Sequence, residues 1–335
     1  MSNGKRSMVL LTVGALCLAG SVFGQNGKIV LFDIPNAFSL STAGINAFGT
    51  IVGQYVVRQD LPNYRGGIRG FIRGAGGTIT TVEVPDSVWT FAYAINSSGT
   101  MAGVYLTRSG GINHGYMRDA KGNLTLFEPY TWVADINDLG EVTGWTGFPP
   151  FAQSQGFVRD AGGNVTFFNS PGSSSTAPSA INVHGPITGS YSNSSGWHGF
   201  VRERSGAITT FDVPGSTSTA PNGINAGGTI FGSYYEAQNS HSFVRDPRGN
   251  FTTFSTNRSC PGNPIVVGMN DFGVVVFKCG GDVFVRETNG VTLQIVAPPD
   301  SGCQSITPTG INRVGVVAGY CTTSSPATHG FIWMP

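Results

Sequence analysis

From Lys28 onward the chain is a succession of short runs in which β-branched and aromatic residues alternate with polar ones, each run closed by Gly, Asn, Asp or Pro. Ile208-Thr-Thr-Phe-Asp-Val-Pro214 is typical. A period of two, bounded by turn formers, predicts strands rather than helices. The runs also repeat. An Asn followed three residues later by Gly stands at Asn46/Gly49, Asn96/Gly99, Asn137/Gly140, Asn182/Gly185, Asn225/Gly228, Asn270/Gly273 and Asn312/Gly315. The mean spacing of about 44 residues is that of a four-stranded propeller blade.

Around each Asn the pattern returns in detail. Ile, or Met269 once, precedes it, and seven positions after it stands Gly53, Gly103, Gly144, Gly189, Gly232 or Gly319, with Phe277 as the exception. A segment close to Gly-Phe-Val-Arg follows, ending at Arg73, Arg118, Arg159, Arg202, Arg245 or Arg286, with Trp333 in the last copy. Four strands, a to d, are predicted per unit. The Asn-x-x-Gly corner joins a to b, its Asn able to bond its own backbone and its Gly free to take positive φ, while an acid-x-x-Gly corner such as Asp246 to Gly249 joins c to d. Those two corners are short and nearly invariant in length across the copies, whereas the b–c and d–a connections vary. Alternate connections of a meander emerge on one side, so one face is uniform and the other variable, and binding groups are expected on the variable one.

Closure follows from the ends. The first run, Lys28 to Pro35, reads as a d strand, and the chain stops just after a c strand, His329 to Met334. The expected fold is therefore all-β, a seven-bladed β-propeller of four-stranded antiparallel blades closed by an N-terminal outer strand that completes the last blade, which leaves no open edge.

Composition narrows the setting. Charged residues are 11% and Gly numbers 49 of 335 residues, a turn-rich profile, and the net charge of +1 offers no footprint for nucleic acid or an anionic membrane. Lys5 and Arg6 precede an uncharged stretch from Met8 to Phe23, so residues 1–24 read as a signal peptide cleaved before Gln25. Residues 25–335 are then one secreted domain, extracellular or periplasmic, monomeric and without membrane insertion. Four Cys remain. Cys260 and Cys303 fall just ahead of an a strand, Cys279 and Cys321 at the end of the paired b strand, so Cys260–Cys279 and Cys303–Cys321 disulfides are predicted.

At the Phe-Val-Arg-Asp and Gly-Ile-Asn positions the repeat resembles the HAF-type extracellular repeat family, named for a His-Ala-Phe triplet. Here the triplet reads His114-Gly115-Tyr116, His198-Gly199-Phe200, His241-Ser242-Phe243 and His329-Gly330-Phe331, with Arg69, Gln155 and Asp282 replacing His elsewhere. The resemblance implies export and a repeat fold and brings no defined activity.

Candidate chemistry is sparse. Four of five His share one repeat position, which argues for architecture over a metal site, and neither metal nor cofactor is expected. The repeated Arg suggests hydrogen bonding to carbonyls or acids of a neighbouring blade. Tyr55, Tyr105, Tyr191 and Tyr234, nine residues after the Asn, are expected to pack. Trp89, Trp132, Trp145 and Trp197, with Phe148 and Phe151 nearby, are placed in or beside the variable connections and taken as ligand-binding candidates, since aromatic faces among Ser, Thr and Asn suit sugars or partner proteins. The preferred function is a non-catalytic binding or scaffold module for an extracellular glycan or protein. The alternative is an extracellular polysaccharide hydrolase or lyase using the central funnel; paired-acid hydrolysis needs two converging carboxylates, and the a strands offer only Asp135.

Overall fold

The computed structural model describes residues 27–57, 67–108, 111–147, 153–237, 239–254, 263–324 and 327–335. They form 28 strands and one short 3-10 turn, Pro299–Ser301. β1 is Lys28–Phe32. The first meander is β2 (Ala37–Ile45), β3 (Ile51–Val57), β4 (Ile68–Arg73) and β5 (Ile79–Val82); the second is β6 (Ser87–Ile95), β7 (Met101–Thr107), β8 (Asn113–Arg118) and β9 (Leu124–Pro129). The third is β10 (Thr131–Ile136), β11 (Val142–Thr146), β12 (Gln155–Arg159) and β13 (Val165–Phe168); the fourth is β14 (Ser175–Ile181), β15 (Ile187–Asn193), β16 (Gly196–Arg202) and β17 (Ile208–Phe211). The fifth is β18 (Ser218–Ile224), β19 (Ile230–Glu236), β20 (Asn239–Arg245) and β21 (Phe251–Thr253); the sixth is β22 (Ile265–Met269), β23 (Val275–Cys279), β24 (Asp282–Arg286) and β25 (Thr292–Ile295). The last set is β26 (Ser305–Ile311), β27 (Val317–Thr322) and β28 (Thr328–Met334), completed by β1, which runs antiparallel to β28 from Lys28↔Met334 to Phe32↔Gly330. The first two meanders touch through one parallel bridge, Ile68↔Trp89. This is a β-propeller.

The Asn of each corner does more than shape its turn. In Asn46, Oδ1 accepts from the N–H of Phe48 and Thr50, as a turn Asn should, while Nδ2 reaches the next meander and donates to the carbonyl of Asn96 at 3.0 Å. Asn96 bonds Asn137 in the same way, and so on through Asn182, Asn225, Asn270 and Asn312, whose amide returns to Asn46. The amides thus close a circle of hydrogen bonds 3.0 to 3.3 Å long. The position needs an acceptor for two local N–H groups and, on a separate atom, a donor that reaches the next sheet; a carboxamide supplies both, whereas an ionised carboxylate has no donor and a Ser hydroxyl offers both functions on one short-reaching oxygen.

Packing between the sheets supplies the core. Phe32, Leu40, Ile51, Tyr55, Phe71 and Ile332, from the last and first sheets, form one such cluster. Phe71, Phe200, Phe243 and Phe331 are fully buried, worth about 2 kcal/mol each. The repeated b-strand Gly makes room for this: a Cβ at Gly103 would strike the Phe91 carbonyl, and one at Gly144 the Trp132 carbonyl. Tyr55, Tyr105, Tyr191 and Tyr234 are buried as expected.

The repeated Arg departs from expectation. Its guanidinium lies over a Phe of the preceding sheet, Arg73 on Phe32, Arg159 on Phe127, Arg202 on Phe168, Arg245 on Phe211 and Arg286 on Phe254, at 4.7 to 5.5 Å. The carbonyl it bonds belongs to its own next residue, as Arg73 Nη1 to Gly74 and Arg202 Nη1 to Glu203. The neighbour therefore contributes a ring face, joined at Arg159 by the Met117 sulfur as an acceptor at 3.8 Å, and cation–π contact stands where a hydrogen bond to a neighbouring carbonyl or acid was expected. Val82 and Ile295 occupy the Phe position ahead of Arg118 and Trp333.

Cys303 and Cys321 are disulfide-bonded with Cα atoms 5.6 Å apart. Cys279 is also disulfide-bonded, and Cys260, its expected partner, lies outside the described residues, as does the whole 1–24 segment. No helix among the described residues is long and apolar enough to cross a membrane.

Candidate functional site

The a strands β2, β6, β10, β14, β18, β22 and β26 surround the axis, and the channel between them has two mouths. At the Asn circle a cavity of about 760 Å³ is lined by Asn46, Asn96, Asn225, Asn270 and Asn312 with Phe48, Phe272 and Arg313. At the opposite end a cavity of about 780 Å³ is lined by Tyr93, Trp132, Trp145 and Trp197 on one side and by Ala43, Ala177, Pro178, Ser179, Ser190, Ser218 and Ala220 around the rest.

Three of the sequence-chosen aromatics therefore converge. Trp132 and Trp145 are cross-strand partners on β10 and β11, their rings parallel within 5° at 6.1 Å. Trp197 stands at the start of β16, 46% exposed. All three sit at strand ends beside the variable connections, Trp132 at the start of β10, Trp145 near the end of β11 and Trp197 at the start of β16. Trp89 does not line the cavity; it meets Phe91 edge-on at 6.2 Å, and Phe91 stacks on Tyr93 at 6.0 Å, so it ends a ladder of alternate residues along β6. Phe148 and Phe151 lie outside the described residues.

Tyr93 was missed in the sequence. Burial raises its phenol pKa, so the hydroxyl keeps its proton at neutral pH. Asp135, the one a-strand acid, is enclosed: Oδ1 accepts from Ile136 N–H at 2.8 Å and Oδ2 from Ile181 N–H of the next sheet at 3.0 Å. Burial pushes its carboxyl up to about 6, the two backbone bonds opposing. Elsewhere this position, two before the Asn, is Gly44, Ala94, Ala180, Gly223, Gly268 or Gly310, where the a strands approach closely. No carboxylate stands among the described residues lining the aromatic mouth.

The triplet His are stacked on the buried Tyr of the b strand: His114 on Tyr105, His198 on Tyr191 and His241 on Tyr234, at 5.0 to 5.1 Å. His198 and His329 also pair through Nδ1 with Asp212 and Asp33, each the residue that follows an outer strand. Among the described residues no group of three or more His, Cys, Asp or Glu could hold a metal ion.

No family model matches the chain, and no curated protein matches it. Solved structures do. A streptogramin B lyase superposes with a TM-score of 0.57 at 14% identity, over 92% of this chain and 98% of that one. An oligogalacturonate lyase in complex with manganese gives 0.56 at 11%, over 92% and 98%. The β-propeller domain of the Trilobed protease from Pyrococcus furiosus, described as having an open velcro topology, gives 0.61 at 10%, over 89% and 94%; here, by contrast, β1 and β28 close the ring. At these identities the likeness carries the fold. Among the neighbours that superpose over nine-tenths of the chain are lyases, which runs against the expectation of a non-catalytic binding or scaffold module.

Proposed function

We propose that the protein is an exported lyase that takes a ring-bearing substrate with a C–H acidified by a neighbouring carbonyl, an esterified uronic polysaccharide segment foremost, into the aromatic mouth of its channel. The observation that carries this reading is the uncharged wall of Trp132, Trp145, Trp197 and Tyr93 around a cavity of about 780 Å³, a volume suited to a small ligand or a few sugar rings. Indole faces bury the C–H faces of sugars at little entropic cost. Elimination fits better than hydrolysis, which needs two carboxylates at the bond; the described lining offers none, and the structural neighbours include lyases. Tyr93 lines the same wall and offers a phenol that keeps its proton at neutral pH, able to hydrogen-bond a substrate oxygen. The signal-like segment 1–24 and the disulfide support export to an oxidising compartment, and the repeated triplet supports membership of the HAF-type family.

The test is incubation with neutral and uronic polysaccharides and with a streptogramin B, followed by mass spectrometry. Elimination gives products whose masses sum to that of the substrate, and Trp132→Ala should lower kcat/KM by about tenfold or more. Products heavier by a water would show a hydrolase instead, and no conversion of any substrate would overturn the reading.

A further inference from the structure

The fourth meander holds a relay that neither the funnel nor the repeat requires. Asp212 Oδ2 lies 2.8 Å from His198 Nδ1, and Ser195 Oγ lies 2.9 Å from His198 Nε2. An ionised carboxylate only accepts, so it fixes the proton on Nδ1 and leaves Nε2 to receive the serine proton. The ring is held in place by stacking on Tyr191 at 5.1 Å. We propose that Ser195, His198 and Asp212 form a nucleophilic serine site that cleaves small carboxylic esters borne by a substrate resting on Trp197, an activity separate from elimination in the channel.

Three observations support the assignment. The His–acid pair itself belongs to the scaffold, because His329 pairs with Asp33 and Arg69 with Glu83 at equivalent strand positions; what sets the fourth meander apart is the hydroxyl placed on the second imidazole nitrogen. That hydroxyl is accessible: Ser194-Ser195 is the exposed two-residue tip between β15 and β16, whose last pair is Asn193↔Gly196. Two residues further on, Trp197 lines the aromatic mouth, so an acylated sugar held there brings its ester to the rim. Asn193 Oδ1 accepts from Ser195 N–H at 2.8 Å and stands 2.7 Å from Oγ and 3.1 Å from Nε2. It parks the hydroxyl at rest, and rotation about the Cβ–Oγ bond turns the proton to His198.

The step balances with water alone. Ser195 Oγ attacks the ester carbonyl carbon while Nε2 takes its proton; the ester C–O bond breaks and the imidazolium returns that proton to the leaving alkoxide. Water then attacks the acyl-serine, giving its proton to Nε2 and so to Oγ as the carboxylic acid leaves.

Labelling with a fluorophosphonate probe and peptide mass spectrometry tests the site, alongside release of acetate from an O-acetylated polysaccharide and from p-nitrophenyl acetate. Ser195 should carry the label, Ser195→Ala should lose both label and ester hydrolysis, and His198→Ala should slow both by about a hundredfold. Because Ser195 is an exposed turn residue, Ser195→Ala should unfold at the parent temperature and retain any eliminative activity. Absence of label on Ser195, or ester hydrolysis by Ser195→Ala at the parent rate, would overturn the assignment.

Discussion

Replacing Asn46 by Ala and by Asp separates the inter-sheet circle from the turn. The residue is 5% exposed, so water cannot stand in for what is removed. Ala deletes three hydrogen bonds: Nδ2 to Asn96 O, and those from Phe48 N–H and Thr50 N–H to Oδ1. Asn96 O retains the Gly99 N–H, which limits the damage at that carbonyl, whereas the Phe48 and Thr50 amides lose their acceptor. At about 1 kcal/mol net per bond the sum is about 2 to 3 kcal/mol. Asp keeps both acceptor bonds but sets a second oxygen, and a charge, against the Asn96 carbonyl; that should cost at least as much as Ala at neutral pH and recover as acid protonates the carboxyl and restores a donor. Urea unfolding followed by tryptophan fluorescence measures both. An Ala variant within about 0.5 kcal/mol of the parent, or an Asp variant as stable as the parent at neutral pH, would refute a stabilising circle.

Three further outcomes follow from the packing. Asp135 has its pKa raised by burial to about 6; an acid shifted upward stabilises the fold below its unfolded pKa and loses that contribution as pH rises through the folded one. The stability of the parent relative to Asp135→Asn should thus fall by up to about 3 kcal/mol between about pH 4 and about pH 7 in urea titrations, and parallel pH curves would count against it. Cys303 and Cys321 are 18 residues apart in sequence, so replacing both with Ser should cost about 3 kcal/mol in thermal or urea unfolding. Arg202→Lys, which exchanges a guanidinium lying 4.9 Å over Phe168 for a compact, strongly hydrated ammonium, should destabilise by about 1 kcal/mol with little dependence on salt, because the contact is buried.

The recurring residues made the strands, the corners and the closing partner of β1 legible, because each recurrence marks a position where the backbone allows few alternatives. Asn46 and its equivalents could be read as turn residues from local spacing alone. Their amide donation could not, since it runs to a carbonyl 41 to 50 positions away, as from Asn96 to Asn137 and from Asn46 to Asn96, and at the closure 266 away, from Asn312 to Asn46. The Arg role failed for a similar reason: the sequence shows Arg and Phe once per unit but not that the Phe belongs to the preceding sheet. Trp132 and Trp145 were recoverable in principle. Pairing outward from Ile136↔Val142 and allowing for the bulge between Val133 and Asp135 brings them opposite each other, but a bulge shifts register by one and leaves no sign in spacing. The Ser195–His198–Asp212 relay needs two registers at once, across β15–β16 and β16–β17.

The two mouths of the channel obey different constraints, which places function at one of them. At the Asn circle each Asn is bound to its neighbour sheet, so substitution there disturbs closure. At the far mouth, positions three and five before the Asn vary: Tyr93 and Trp132 are bulky, whereas Ala43, Ala134, Ala177, Ser179 and Ala220 are small. A ring built for closure alone would fill its bore evenly. Here the second to fourth meanders supply the large aromatics while Ala and Ser of the first, third, fourth and fifth leave the space between them open, and that contrast creates an aromatic binding wall without disturbing the hydrogen-bonded end that holds the sheets together.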